Sequence, residues 1–219
     1  GHGIGWDRPT ETFIRKVDAL TYTGYRFSTG WANDQRLYFA IKLSKAADAV
    51  LFMDNQKKAD VTSLKSERAV SILSFTTTKN EAVFVKAGIS PVSEENALAN
   101  IEAEISAKSF EAVTAEAEQK WNTELSRIRI KSDNTKDLRT FYTAMYHAFT
   151  APVIFNDHNG DYRGTDKKVY RNAGFTNYSV FSLWDTYRAA HPLYTLVQPE
   201  RVPDMIKSML AIYQQQGKL

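Results

Sequence analysis

Lys86-Ala87-Gly88-Ile89-Ser90-Pro91-Val92-Ser93-Glu94-Glu95-Asn96-Ala97-Leu98-Ala99-Asn100-Ile101 is the stretch on which the fold turns. Before Pro91 the apolar residues keep a period of two, and after it they recur every fourth residue. Ser93 sits where a helix N-cap belongs, with Asn96 in place of the usual glutamate three positions on. Ala97, Ile101 and Ile105 then fall on one helical face. The chain therefore changes class near residue 91, from strands to helices.

Upstream, Leu20–Gly24, Leu37–Leu43, Val50–Met53, Val70–Phe75 and Ala82–Ile89 are short runs rich in β-branched and aromatic residues. Asn33-Asp34, Asp54-Asn55 and Lys79-Asn80 separate them as turn formers. Leu37, Phe39 and Ile41 alternate with Tyr38, Ala40 and Lys42, as a half-buried strand requires. Residues 1–91 are expected to be the C-terminal part of an antiparallel β-sandwich. Downstream, residues 92–132 read as a helical linker. Its second helix runs from Ser109 to about Leu125 on Phe110, Val113, Ala117 and Trp121, and Ile128-Arg129-Ile130 follows as a short strand. From residue 133 the chain is helical. Leu138, Tyr142, Met145 and Phe149 form a stripe that Pro152 closes, and a loop runs from Asn156 to Tyr178. Helices over Leu183–Leu196 and Pro199–Gln216 follow, the last ended by Gly217.

The 219 residues carry 28 basic and 25 acidic side chains, for a net charge of +3 without any basic block. That pattern does not suit nucleic acid, which needs cations gathered on one face. No apolar run is long enough to span a membrane. Cysteine is absent, which removes disulfides, thiolate metal sites and cysteine nucleophiles together. The four histidines, His2, His147, His158 and His191, lack the four-residue helical spacing of a zinc pair. His147 is expected at a core or interface face. Asp157-His158-Asn159-Gly160-Asp161 suggests a calcium loop, but the pattern needs glycine sixth and glutamate twelfth. Tyr162 and Lys168 stand there, so consecutive turns are the better reading.

The stretch richest in chemistry is Ser182-Leu183-Trp184-Asp185-Thr186-Tyr187-Arg188, followed by His191-Pro192-Leu193. An indole stacks on the apolar face of a pyranose, and a neighbouring carboxylate accepts hydrogen bonds from its hydroxyls. The structural alternative makes Asp185 a helix cap and Trp184 a core residue. Arg188, three positions after Asp185, faces the same side and is expected to orient its carboxylate. Phe27, between Gly24 and Gly30, is a further candidate for a sandwich loop reaching a sugar site, with sheet packing as its alternative.

This block closely resembles the start of the catalytic domain in glycoside hydrolase family 92, exo-acting α-mannosidases. Gly24-Tyr25-Arg26-Phe27-Ser28-Thr29-Gly30-Trp31, Lys86-Ala87-Gly88-Ile89-Ser90 and Asp161-Tyr162-Arg163-Gly164 extend the resemblance from about residue 20 to the C-terminus. The resemblance implies a β-sandwich, linker helices and the first helices of an (α/α)6 barrel over residues 133–219. It also implies a calcium-dependent, inverting release of terminal mannose from N-glycan-type α-mannosides, in which one carboxylic acid protonates the leaving oxygen and a second carboxylate activates water. Both carboxylates and the calcium ligands are expected beyond Leu219, so no catalytic or metal residue is assigned in this chain. The substrate-binding candidates are Trp184, Asp185, Arg188 and Phe27. The family also suggests a secreted, periplasmic or surface-attached bacterial protein. Two other readings remain open: a carbohydrate-binding module without hydrolase activity, and another helical-barrel glycosidase or phosphorylase. For a barrel cut at residue 219, Leu183, Leu193, Met205, Met209 and Ile212 are the expected exposed apolar set.

Overall fold

The computed structural model describes residues 7–30, 32–58 and 61–219, with the backbone but not the side chain of Asp185. The chain divides into two compact units, residues 1–107 and 108–219. The helical segment 92–132 is thus shared between them and forms no body of its own.

In the first unit the strands are β1 (Arg8–Lys16), β2 (Thr21–Thr29), β3 (Gln35–Leu43), β4 (Ala49–Met53), β5 (Lys57–Lys58), β6 (Ser63–Ser66), β7 (Val70–Ser74) and β8 (Val85–Ser90). Among the described residues they form a five-stranded sheet, β6-β1-β2-β3-β8, and a three-stranded one, β5-β4-β7. The pairings are antiparallel. Asn55 and Asn80, both foreseen as turn residues, have positive φ. The sequence pattern does not signal β1, β5 or β6. Phe27 is also placed differently from expectation: it lies inside β2, opposite Arg36 of β3, and not in a turn.

Helix α1 (Glu94–Glu104) lies on the five-stranded sheet, and its start is the predicted one. The Ser93 hydroxyl accepts from the Asn96 amide. Ala97 and Ile101 are buried against Ala40. Ala40 pairs with Gly88 across β3 and β8. A Cβ on Gly88 would come within 2.4 Å of the Ala97 carbonyl oxygen, so only glycine lets the helix approach. Glu94 accepts hydrogen bonds from Thr23 at 2.6 Å and Arg15 at 2.9 Å. Lys86 donates to the carbonyls of Ile105 and Ser106 at the helix's far end.

The second unit contains α2 (Phe110–Leu125), α3 (Thr135–Ala148), β9 (Val153–Ile154), β10 (Tyr162–Arg163), β11 (Val169–Tyr170), β12 (Tyr178–Ser179), α4 (Leu183–Thr186), α5 (Ala190–Val197) and α6 (Val202–Gln216). Residues 128–130 form no strand, since among the described residues nothing pairs with them. The expected helix over 183–196 is two pieces. Pro192 has no N–H to continue a helix, and its ring would clash with the Arg188 carbonyl four residues back, so the helix restarts with Pro192 in its first turn. The last helix starts at Val202, with Pro203 in its first turn instead of Pro199, and Gly217 closes it with φ of 75°.

The core of this unit is Tyr178, Tyr194 and Met205, flanked by Phe149, Phe181 and Met209. The Tyr194 hydroxyl reaches the carbonyls of Ala148 and Ala151 at 2.8 and 2.7 Å, tying α5 to the end of α3. The Asn156–Tyr178 segment is not featureless. β10 pairs with β11, β12 pairs with β9, and α6 holds the segment in place. Asp204 accepts from the Thr176 amide, the Ser208 hydroxyl from the Tyr178 amide, and the Gln215 carbonyl oxygen from the Thr165 amide.

Two further expectations need correction. His147 is exposed, because α3 turns Met145 inward instead. Met205 is buried, and Leu183, Leu193, Met209 and Ile212 are half-buried, because that face of the helices meets the unit's own core. The exposed apolar residues of α6 are Ile206, Leu210 and Tyr213, one helical stripe on a different face.

Candidate sugar-binding site

Residues 180–188 emerge from β12 at the core. Val180 takes a positive φ of 63°, which β-branched residues rarely adopt, and 63% of it is exposed. Phe181 then turns inward and stacks beside the His191 ring, whose edge meets Tyr194. Burial pushes the His191 imidazole below its ordinary pKa. Behind Phe181 and Leu183, against Met209 and Ile212, lies a hollow of about 230 Å³.

From this anchored base the four-residue α4 presents its remaining side chains. Trp184 is 89% exposed, so among the described residues it fills no core. Tyr187 is 55% exposed. Ser182 occupies the N-cap position of α4 without a side-chain cap bond, and Asp185 is the third helical residue, so its position is not that of the cap. Its carboxylate lies outside the described residues. The Arg188 Nε donates to the Tyr187 hydroxyl at 2.5 Å, and the guanidinium lies 5.2 Å from that ring's centre. Tyr187 is therefore a neighbour of the site that attention to Asp185 alone passed over. Its signal was present, since residues adjacent at a helix end share a rim. Together the segment offers one uncovered indole face, a phenol and a guanidinium, which suit the apolar face and hydroxyls of a sugar.

Phe27 belongs to the first unit. Its ring stacks on Tyr25 with centroids 4.2 Å apart, Arg36 lies 4.9 Å from its centre, and Tyr38 meets it edge-on. Trp31, in the same quoted stretch, lies outside the described residues, as does His2.

The Asp157–Asp161 segment is spent on its own turns. Asp161 is buried, and it accepts from Arg171 at 2.5 Å, from the Asn172 amide at 3.0 Å and from Asn159 at 3.2 Å. Among the described residues no group of three or more histidine, aspartate or glutamate side chains gathers to hold a metal ion. The described residues therefore do not fit a calcium centre. No described helix is long and apolar enough to cross a membrane.

Sequence missed a polar cluster joining α2 to the α5–α6 corner. Glu124 accepts from Arg127 at 2.8 Å, Gln198 at 2.8 Å and Arg201 at 2.5 Å. Arg127 also donates to the Val197 carbonyl at 2.6 Å and to Glu200 at 2.5 Å. Burial works to raise the Glu124 pKa, but Gln198, Arg201 and Arg127 overcome it and hold the carboxyl below its ordinary value.

Comparison with known proteins gives a consistent answer. The model of the glycosyl hydrolase family 92 N-terminal domain matches residues 1–90, and that of the family's catalytic domain matches residues 96–219. Among solved structures, a family 92 α-mannosidase from Bacteroides thetaiotaomicron, determined alone and in complex with mannoimidazole, is 36% identical with a TM-score of 0.90. The match covers 96% of this chain and 29% of that one. A second family 92 glycosyl hydrolase is 25% identical with a TM-score of 0.86, over 95% of this chain and 28% of its own. An inverting family 92 mannosidase from Bacteroides thetaiotaomicron, 22% identical over 95% of this chain and 29% of its own, has a TM-score of 0.86 and speaks for the fold alone. No curated protein matches the chain. The chain thus spans less than a third of the length of these structural relatives. With one family model lying on each side of residue 91, and the catalytic one alone covering more than half of the sequence, the chain belongs to glycoside hydrolase family 92.

Proposed function

We propose that the chain is part of an exo-acting α-mannosidase that releases terminal mannose from N-glycan-type α-mannosides with inversion at the anomeric carbon. The observation that carries this reading is the exposed Trp184 beside Asp185, Tyr187 and Arg188, on a segment anchored by Phe181, in a chain of family 92. In this reading the indole of Trp184 walls the terminal mannose and the Asp185 carboxylate accepts bonds from its hydroxyls. Arg188 keeps that rim charged and ordered. The acid that protonates the leaving oxygen, the base that activates water and the calcium ligands lie outside these residues. The protein acts outside the cytoplasm, secreted, periplasmic or surface-attached.

The test is the full-length protein, assayed with calcium on an aryl α-mannoside and on α-mannobiose, with the first anomer formed read by proton NMR. Release of β-mannose is expected. α-Mannose as first product would overturn the inverting mechanism. No release from either substrate, together with retained mannoside binding, would replace the hydrolase by a carbohydrate-binding module. The 219-residue chain alone should release none, with or without calcium, because a missing acid and base each remove roughly 10²–10⁴-fold of rate. Calcium-stimulated release by the purified chain would place the catalytic pair inside it.

A further inference from the structure

A groove of about 620 Å³ lies in the second unit, bounded by α2, the end of α3 and the α5–α6 corner. Its apolar surface comes from Trp121 and Phe149. Trp121 leans on Tyr146 at 4.5 Å with the rings tilted by 50°. Neutral hydrogen-bonding groups come from Gln119, Thr123 and Gln198. Gln198 is only 3% exposed. Its Nε2 donates to Glu124, while its amide oxygen has no hydrogen-bond partner among the described residues. The indole N–H of Trp121 likewise has none. The charged residues of the lining, Glu116, Lys120, Glu124 and Arg201, balance, and each carboxylate is already paired with cations.

These features select a class of ligand. A phosphate or nucleic acid needs excess cations. A metal ion or basic peptide needs free carboxylates, and both here are engaged. A neutral polyol needs an aromatic face for its C–H groups and unsatisfied amide and indole valences for its hydroxyls, in a recess of small-ligand size. We propose that the Trp121–Gln198 groove is a second, non-catalytic glycan-binding site that takes a mannose oligosaccharide. The Glu124–Arg127–Arg201 network holds its wall rigid, so the Gln198 amide is fixed before the ligand arrives. The choice of mannose rests on the reading of the protein as an α-mannosidase, whereas the neutral-glycan class rests on the groove itself.

The test uses the full-length protein labelled with 5-fluorotryptophan, titrated with a sulfur-linked α-mannotriose that resists hydrolysis, with the Trp121 fluorine signal assigned by its loss in Trp121→Phe. The expected result is a saturable shift of that signal, and binding, read by calorimetry in the Trp121→Ala protein that lacks the signal, weakened about tenfold or more, since stacking supplies much of the affinity of such sites. Gln119→Trp, which fills the groove from the exposed side without removing any packing, should abolish the shift even if Trp121→Ala proves poorly folded. An unmoved Trp121 signal at millimolar mannotriose would overturn the proposal. A shift that survives Gln119→Trp would also overturn it. Because the readout is binding at Trp121 and not turnover, it succeeds or fails separately from the hydrolase reading.

Discussion

Two helices of this chain directly follow β-strands, and they are used in opposite ways. After β8, α1 is saturated with partners: Ser93 caps it, Glu94 is held by Thr23 and Arg15, Ala97 and Ile101 are buried, and Gly88 yields to its backbone. After β12, α4 has an N-cap without a cap bond, lasts four residues and leaves its tryptophan 89% exposed. The first helix explains its own residues, because each one stabilises the unit it sits in. The second does not. In the proposed reading its exposed indole is left free to stack on a sugar. The base of α4 is nonetheless rigid, since Phe181 and His191 tie it to the Tyr194 core.

If this contrast is sound, disturbing the α1 interface should have the largest effect on stability. Gly88→Val places atoms inside the contact distance of Ala97 and Ile101, and should cost about 3 kcal/mol, at the upper end of overpacking. Thermal melting of the first unit reads it, and a melt unchanged from the parent would mean that α1 does not lie on the sheet as described.

An intermediate loss is expected at the α2–α6 clamp. Glu124→Ala leaves Arg127, Arg201 and Gln198 short of an acceptor and should cost about 1–2 kcal/mol, reduced by the partial exposure of both arginines. The carboxyl's folded pKa lies below its unfolded value near 4.3, so its contribution is present above that pH. It is lost as pH falls through the folded value. A melting profile from pH 7 to pH 3 should therefore be flatter below about pH 4.3 in the variant. Equal slopes for parent and variant would remove Glu124 from the network.

The smallest effect should come from Trp184→Ala, within about 0.5 kcal/mol of the parent, as for a surface residue away from any packed feature. A loss of several kcal/mol would make Trp184 a packing residue and erase the contrast.

How far the sequence carried these conclusions varied with the physics of each element. The change from period two to period four at Pro91 was legible because one face of each element is buried locally, and Ser93 advertised its cap. Strand β1 was not legible. Arg8-Pro9-Thr10-Glu11-Thr12 has little β character of its own, and β2 on one side and β6 on the other impose the strand. Ile128-Arg129-Ile130 erred the other way, with strand-forming side chains but no neighbour to pair with. The flanking Gly24 and Gly30 make Phe27 read as a loop residue, whereas Gly24 is itself a strand residue beside Phe13 and Phe39. At the site, Trp184 and Asp185 were visible as adjacent types, and Tyr187 entered only when the structure set its hydroxyl on Arg188. The Glu124–Arg201 pair, 77 residues apart, leaves no trace in local pattern.

The central claim is that Asp185 serves a sugar and not its helix, and one substitution tests it in the full-length protein. Asp185→Asn keeps the shape and removes the charge. Hydrogen bonds to a charged acceptor are worth about 1.5–3 kcal/mol each, so kcat/KM on an α-mannoside should fall by about ten- to more than a hundredfold with the melting temperature unchanged. Asparagine has nearly the same shape and keeps an amide oxygen as acceptor, so a purely local structural role would leave the kinetics intact. Turnover equal to the parent's would contradict the account and return Asp185 to the fold.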